Sequence, residues 1–255
     1  MGHATALLKL DGVSLLTDPI LRRQVMHLRR SKAQQVLVEP DLDAVLISHL
    51  HFDHLHLPSL KQLGRQTRLF VPRGAGRLLK RAGFSRVEEI SIGETVQIKS
   101  VRIKATYALH NKRRHPLGPT AECIGYLIEG SHSVYFAGDT DLFPEMAAMV
   151  DRLDVALLPV WGWGPTLGRG HMDPLRAAEA LQLLTPRLAI PIHWGTLHPV
   201  GFNWFKPRFL THPPHEFAHH AARLAPAVNT RILQPGTSIR LVEHLTPGDS
   251  GESWT

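Results

Sequence analysis

Cysteine is almost absent from this sequence: Cys123 stands alone among 255 residues. One thiol cannot close an intrachain disulfide, so the fold must rest on a packed core, and a reducing compartment suits it. No apolar run approaches the roughly 18 residues of a membrane-spanning helix. The opening MGHATALLKLDG does not follow the basic-then-apolar order of a secretory signal, so a cytoplasmic location is expected. Acidic residues are in deficit, 22 against 29 Lys and Arg, which leaves a net charge of +7 with histidines neutral. Fixed-period repeats, low-complexity tracts and internal linkers are missing too. Residues 1–246 therefore read as one domain, with a loose polar tail at 247–255. Histidine, by contrast, is abundant at 17 residues. Imidazole is the commonest metal ligand, so the placement of these residues decides what they mean.

Short apolar runs dominate the chain: ALLKL, VSLLT, AVLIS, RLFV, VRIKATY, IGYLIE, SVYFAG, VALLPV, LAIPIHW and SIRLV. Their lengths, and the Gly, Pro or Asp beside them, predict strands. Asp11-Gly12 predicts a primed hairpin turn between the first two. Helices are expected over Gly76 to Ala82, from the Asp173 cap and Pro174 through Leu184, over Pro213 to Leu224 and, shorter, over Phe143 to Val150. Early hairpins with interspersed helices point to an α/β (α+β) sandwich of mixed sheets with helices outside, not a doubly wound parallel sheet.

The informative segment is Ala44 to His54, where a buried strand runs into His49, His51, Asp53 and His54. Two histidines two apart at a strand end point the same way into a cleft. Asp53 and His54 follow as the chain turns and face a second ion beside the first. Imidazole nitrogen and carboxylate oxygen suit divalent ions such as zinc. His110 and His193 also stand at strand ends, with His115 and His198 as neighbouring alternatives. Asp18 and Asp139 close two further apolar runs.

With these landmarks in this order, the chain resembles the metallo-β-lactamase superfamily over nearly its whole length. The resemblance implies a four-layer αββα sandwich with the site on one edge. It implies one ion on His49, His51 and His110, another on Asp53, His54 and His193, and Asp139 bridging the two. Two dications roughly 3.5–4 Å apart repel one another unless anions lie between them. A shared water, deprotonated to hydroxide, is the implied nucleophile, and Asp53 is expected to help orient it. Zinc is the expected ion, and manganese or iron(II) suits the same ligand types. Asp18 is expected to orient a ligand histidine rather than touch metal. Asp141 reads as a turn residue, and Cys123 as packing. The bridging aspartate and the missing export signal argue against an antibiotic-hydrolysing enzyme.

Within the superfamily, the stretches GHAT, LTDP, FVP, FAGDT, GHMDP and IHWGT are similar to the branch of N-acyl-phosphatidylethanolamine-hydrolysing phospholipase D. Ascorbate-6-phosphate lactonase-like proteins share several of them. The implied activity is phosphodiester hydrolysis on an anionic, phospholipid-like substrate, with a lactonase or other carbonyl ester hydrolase as the alternative. His171 matches an active-site histidine of the phospholipase-like branch and is expected to bind a phosphoryl oxygen or protonate the leaving alkoxide. Lys112, Arg113 and Arg114, just after His110, are expected to hold a phosphate. Trp161 and Trp163, with Phe202, Trp204 and Phe205, are expected to wall the substrate cleft. The eight basic residues between Asp53 and Glu88, with no acidic one among them, read mainly as a solvated face, as do His212, His215, His219 and His220. The basic balance also admits a nucleic-acid-processing or nucleic-acid-binding protein, but no RNA-binding signature interleaves the charges and no specific nucleic acid is expected. Peripheral membrane contact stays open, and the oligomeric state is not legible.

Overall fold

Alternation along the strands decides how this chain layers. In the computed structural model, which describes residues 2–31, 41–201 and 208–241, Asp11 and Gly12 both take positive φ (50° and 73°), as a primed turn requires. The turn joins β1 (Leu7–Leu10) to β2 (Val13–Thr17) with Leu10 opposite Val13. There follow β3 (Gln24–Val25), β4 (Leu28–Arg30), β5 (Ala44–Leu46), β6 (Leu69–Pro72), β7 (Val87–Ile90) and β8 (Thr95–Ile98). Next come β9 (Val101–Tyr107), β10 (Ile124–Glu129), β11 (Ser133–Phe136) and β12 (Val155–Pro159). The last strands are β13 (Leu188–Ile192), β14 (Leu197–Pro199) and β15 (Asn229–Thr230). The helices are α1 (Leu57–Leu63), α2 (Gly76–Arg81), α3 (Pro174–Leu184), α4 (Arg208–Thr211) and α5 (Pro213–Leu224), with a 3₁₀ turn at Pro144–Ala148.

Two mixed sheets result. The first runs β1-β2-β5-β6-β7, parallel from β2 onward; the second runs β15-β13-β12-β11-β10-β9-β8, parallel from β11 to β15. Their inner faces share one core, in which Val13, Leu15, Leu46 and Phe70 meet Ile103, Ile124, Tyr126 and Phe136. The alternate residues Leu16, Val45, Ile47 and Leu69 turn outward to Leu60 and Leu79 of α1 and α2. On the opposite side Leu127, Tyr135, Ala156 and Leu158 pack on Ala177, Leu181 and Phe217 of α3 and α5. The period of two thus produces the four layers αββα. A third sheet, β14-β4-β3, lies apart from both. No helix among the described residues is long and apolar enough to cross a membrane.

Most expected elements form, several of them shorter, and Phe143 to Val150 tightens to the 3₁₀ turn. SIRLV is a correction: Ser238–Leu241 forms no strand. Ile239 and Leu241 instead lean on the inter-sheet core. Val242, the end of the expected domain at 246 and the tail at 247–255 lie outside the described residues, as do Phe202, Trp204 and Phe205.

Tyr126 ties the two sheets together from the middle of the core. Its buried hydroxyl lies 2.7 Å from the Ile47 carbonyl and 3.1 Å from that of Phe70. Tyr126→Phe is expected to cost about 1–2 kcal/mol, because it leaves the Ile47 carbonyl without this donor. A lower urea midpoint with unchanged m would report that loss.

Candidate metal centre

β2 and β5 run parallel in the first sheet, and β9 and β11, both antiparallel to β10, run with β12 and β13 in the second. Residues just beyond these strand ends therefore collect at one rim, as the turns there do in α/β sheets. Asp18 follows β2, His49 follows β5, His110 follows β9, Asp139 follows β11 and His193 follows β13. At Gly138 (φ 62°) a Cβ would stand 2.6 Å from that of Ser48. Only glycine lets the Asp139 turn approach the His49 turn so closely.

The hydrogen bonds fix which nitrogen of each ring faces inward. His110 Nδ1 meets the Gly170 carbonyl (2.7 Å), His51 Nε2 the Arg113 carbonyl (3.1 Å) and His193 Nδ1 the Trp161 carbonyl (2.8 Å). A carbonyl only accepts, so each of these nitrogens carries the proton. His54 Nδ1 likewise donates to Asp18 Oδ2 (2.7 Å). Ser48 Oγ donates to Asp18 Oδ2 (2.5 Å) and so accepts from His49 Nδ1 (2.9 Å). In each of the five rings this leaves the other nitrogen as the one that faces inward, free to offer a lone pair to a cation. These nitrogens converge: His51 Nδ1 lies 3.1 Å from His49 Nε2 and 2.9 Å from His110 Nε2, while His54 and His193 bring their Nε2 atoms to 3.0 Å. Nitrogens that face one another at such distances need a positive charge between them, a shared proton or a metal ion. This is the arrangement that suits ligand imidazoles held by outer acceptors.

The carboxylates fit the same ions. Asp53 Oδ2 is 3.8 Å from His54 Nε2 and 3.7 Å from His193 Nε2. Asp139 lies between the two groups: Oδ2 is 3.9 Å from His49 Nε2 and 3.1 Å from His54 Nε2, and Oδ1 is 3.2 Å from His193 Nε2. Asp139 Oδ1 is buried without a hydrogen-bond partner. Burial alone would raise the Asp53 and Asp139 carboxyls, but the surrounding histidines hold both well below the usual carboxylate range. Burial keeps His49 and His110 neutral, the latter pushed down to about 4. Burial also opposes charge on His54, yet Asp139, Asp53 and Asp18 raise it well above an ordinary imidazole. Three buried carboxylates around one ring thus call for positive charge, which divalent ions supply.

All seven expected ligands, and Asp18 behind them, meet at this rim, and His171 joins with Nε2 3.3 Å from Asp139 Oδ2. His115 instead lies over Phe52, and His198 Nδ1 sits 3.0 Å from the Pro199 carbonyl on β14. Asp141 pairs with Arg176 (2.6 Å). Cys123 is buried, which pushes its thiol up to about 12. Lys112 and Arg113 are exposed beside the centre, Arg113 lending its carbonyl to His51. Arg114 is a correction: its guanidinium is buried, lies 4.1 Å over the Phe52 ring, and donates to the Leu50 and Leu55 carbonyls. Those carbonyls bound the His51–His54 turn and need a buried donor, so the charge is spent on the loop rather than on a phosphate. Trp161 bonds its own loop through Nε1 to the Gly164 carbonyl (3.0 Å), and Trp163 packs edge-on against His27. One residue escaped the sequence reading. His3, buried inside the GHAT stretch, places Nε2 3.0 Å from Asp53 Oδ2.

Residues 14–194 match the family model described as the beta-lactamase superfamily domain. The chain belongs to that superfamily. A metal-dependent hydrolase of Methanopyrus kandleri is 31% identical over 252 residues, covering 93% of this chain and 96% of its own length. N-acyl-phosphatidylethanolamine-hydrolyzing phospholipase D 1 of Caenorhabditis elegans is 30% identical over 232 residues, 79% of this chain and 64% of that protein. Among solved structures, the metallo hydrolase Igni18 of Ignicoccus hospitalis superposes with a TM-score of 0.71 at 24% identity, over 93% of this chain and 94% of the other. The chain is accordingly a metal-dependent hydrolase of the metallo-β-lactamase fold.

The Arg114 clamp makes a direct prediction. Arg114→Met keeps the bulk over Phe52 but strips the donors from two loop carbonyls, at an expected cost of about 2 kcal/mol or more. Thermal melting should show the loss, and metal titration should show weaker uptake.

Proposed function

We propose that this chain is a binuclear hydrolase that cleaves an anionic phosphodiester of the phospholipid-like kind. The observation that carries the two-ion reading is the position of Asp139: Oδ2 stands between the two groups, 3.1 Å from His54 Nε2 and 3.9 Å from His49 Nε2, while Oδ1 lies 3.2 Å from His193 Nε2 and is buried without a hydrogen-bond partner. His49, His51 and His110 would hold one ion, and Asp53, His54 and His193 the other, with Asp139 shared. Zinc suits this nitrogen-rich set, and manganese or iron(II) is compatible with it. Ions bound there supply Lewis acidity and an activated water at neutral pH.

The remaining work falls to the chain's own groups. Asp53 presents a carboxylate at the centre that can orient the attacking water. His171 donates through Nδ1 to the Gly168 carbonyl (3.0 Å) and through Nε2 towards Asp139. Burial disfavours a second proton on this ring, but the bond to Asp139 outweighs it and raises the pKa above the ordinary value. A ring that donates from both nitrogens holds a proton at the mouth of the centre, where a leaving alkoxide needs one. Lys112 and Arg113 lie exposed beside the His110 loop and offer charge to a phosphate. Trp161, whose carbonyl meets His193 Nδ1, borders the same rim, and with Trp163 two residues on it offers an apolar wall for substrate. The phosphodiester assignment draws support from these groups and from the worm phospholipase D relative.

Asp139→Ala should lower bound metal and abolish turnover; full activity with undiminished metal contradicts the two-ion reading. His171→Gln should keep its metal yet lose about 10²–10⁴-fold in kcat. A panel of phosphodiesters and lactones fixes the substrate class: turnover confined to lactones overturns the phosphodiester assignment.

A further inference from the structure

The turn Gly2–Thr5 does more than begin the first sheet. It closes on itself through Gly2 N–H to the Thr5 carbonyl (3.3 Å) and Thr5 N–H to the Gly2 carbonyl (3.1 Å). It is then bolted to the far sheet, with the His3 amide donating to Thr196 Oγ1 (2.7 Å) and the His193 amide donating to the His3 carbonyl (3.0 Å). Gly2, at φ 109°, leaves no room for a side chain, since a Cβ would stand 2.7 Å from Thr196 Oγ1. His3 itself sits at φ 58°, a left-handed conformation uncommon for a residue with a Cβ. Backbone strain of this kind persists where neighbouring contacts hold it, and it marks a side chain required in one direction. That direction is the centre. The His3 ring packs on His193, with centroids 3.9 Å apart, and reaches Asp53 Oδ2 with Nε2 at 3.0 Å.

We propose that His3 is a positioning residue: it donates its Nε2–H to Asp53 Oδ2 and, through its backbone, locks that carboxylate to the His193 turn. Asp53 comes from the first sheet and His193 from the second, so His3 is the strut that sets the separation of these two donors. Asp53 makes its described polar side-chain contacts with histidines, and His3, at 3.0 Å, is the nearest of them, against 3.8 Å for His54 and 3.7 Å for His193. The inference deepens the two-ion reading and rests on it.

Three variants separate the roles. His3→Phe keeps the ring stacked on His193 but removes the donor; His3→Gln keeps a donor without the ring; Asp53→Ala removes the ligand itself. Metal content after gel filtration and affinity by competition with a chromophoric chelator are measured for each, with kcat and KM on a substrate that the wild type turns over. A positioning role predicts that His3→Phe weakens the ion lost in Asp53→Ala by about tenfold or more. His3→Gln should recover most of that affinity, and kcat should fall further than KM changes. Unchanged affinity in a folded His3→Phe overturns the proposal. Loss in His3→Gln as complete as in His3→Phe overturns it too, since the imidazole itself would then be the requirement. Should His3→Phe fail to melt cooperatively, His3→Ala is read by the same criteria. A wild type whose metal content Asp53→Ala leaves untouched sinks the two-ion reading and this inference together. A wild type that binds two ions beside an unaffected His3→Phe sinks the inference alone.

Discussion

The Asp18 carboxylate, fully buried just beyond β2, receives three donors at once: the Ser48 amide, the Ser48 hydroxyl and His54 Nδ1. Through the hydroxyl it also fixes His49. One acidic side chain that never faces the centre thereby sets the proton positions of two rings that do. The carbonyls of Gly170, Arg113 and Trp161 perform the same service for His110, His51 and His193. Remove those acceptors and a neutral imidazole is free to exchange tautomers or turn over, and the inward lone pairs are no longer guaranteed. The arrangement is costly in isolation, because it buries carboxylates and aims nitrogens at one another, and such a cluster is tolerable only around positive charge.

Much of this was readable in the chain because the chemistry is local. His49, His51, Asp53 and His54 fall within six residues, and Asp139, His110 and His193 stand where apolar runs stop, which in a sandwich with parallel strands means one shared rim. The long strands were equally plain: Val101–Tyr107 alternates over most of its length, and Ile124–Glu129 is a short apolar run buried almost throughout. The short elements were not. β3, β4 and β14 have two or three residues and show no period, and α1 starts at Leu57 with no side-chain cap from His56, directly behind the histidine segment. His3 was hidden for another reason: its partners Asp53 and His193 lie 50 and 190 residues away, and nothing beside it in sequence marks it as inward-facing.

Arg114 shows how charge misleads when read in one dimension. Three consecutive basic residues after a ligand histidine look like an anion cradle, yet only Lys112 and Arg113 reach solvent. The third is captured by Phe52 and two carbonyls because a turn that directs four side chains to one point leaves its own backbone groups unpaired. A guanidinium, with five donors in a planar fork, satisfies such a turn from a single position where a lysine would not.

The centre draws His49, His51, Asp53 and His54 from the loop of one sheet, and His110, Asp139 and His193 from the ends of the other. Each half brings only part of the donor set, so metal bound there would act as a rivet through the seam between the two sheets. Without metal, that seam rests on apolar packing, the Tyr126 hydroxyl and backbone bonds such as His193 N–H to the His3 carbonyl and Ile124 N–H to the Ser48 carbonyl. Saturation with ion adds a free energy that grows with the logarithm of free concentration over dissociation constant. Metal held across the seam would thus tie catalytic competence to mechanical cohesion, adding to a joint that packing already makes.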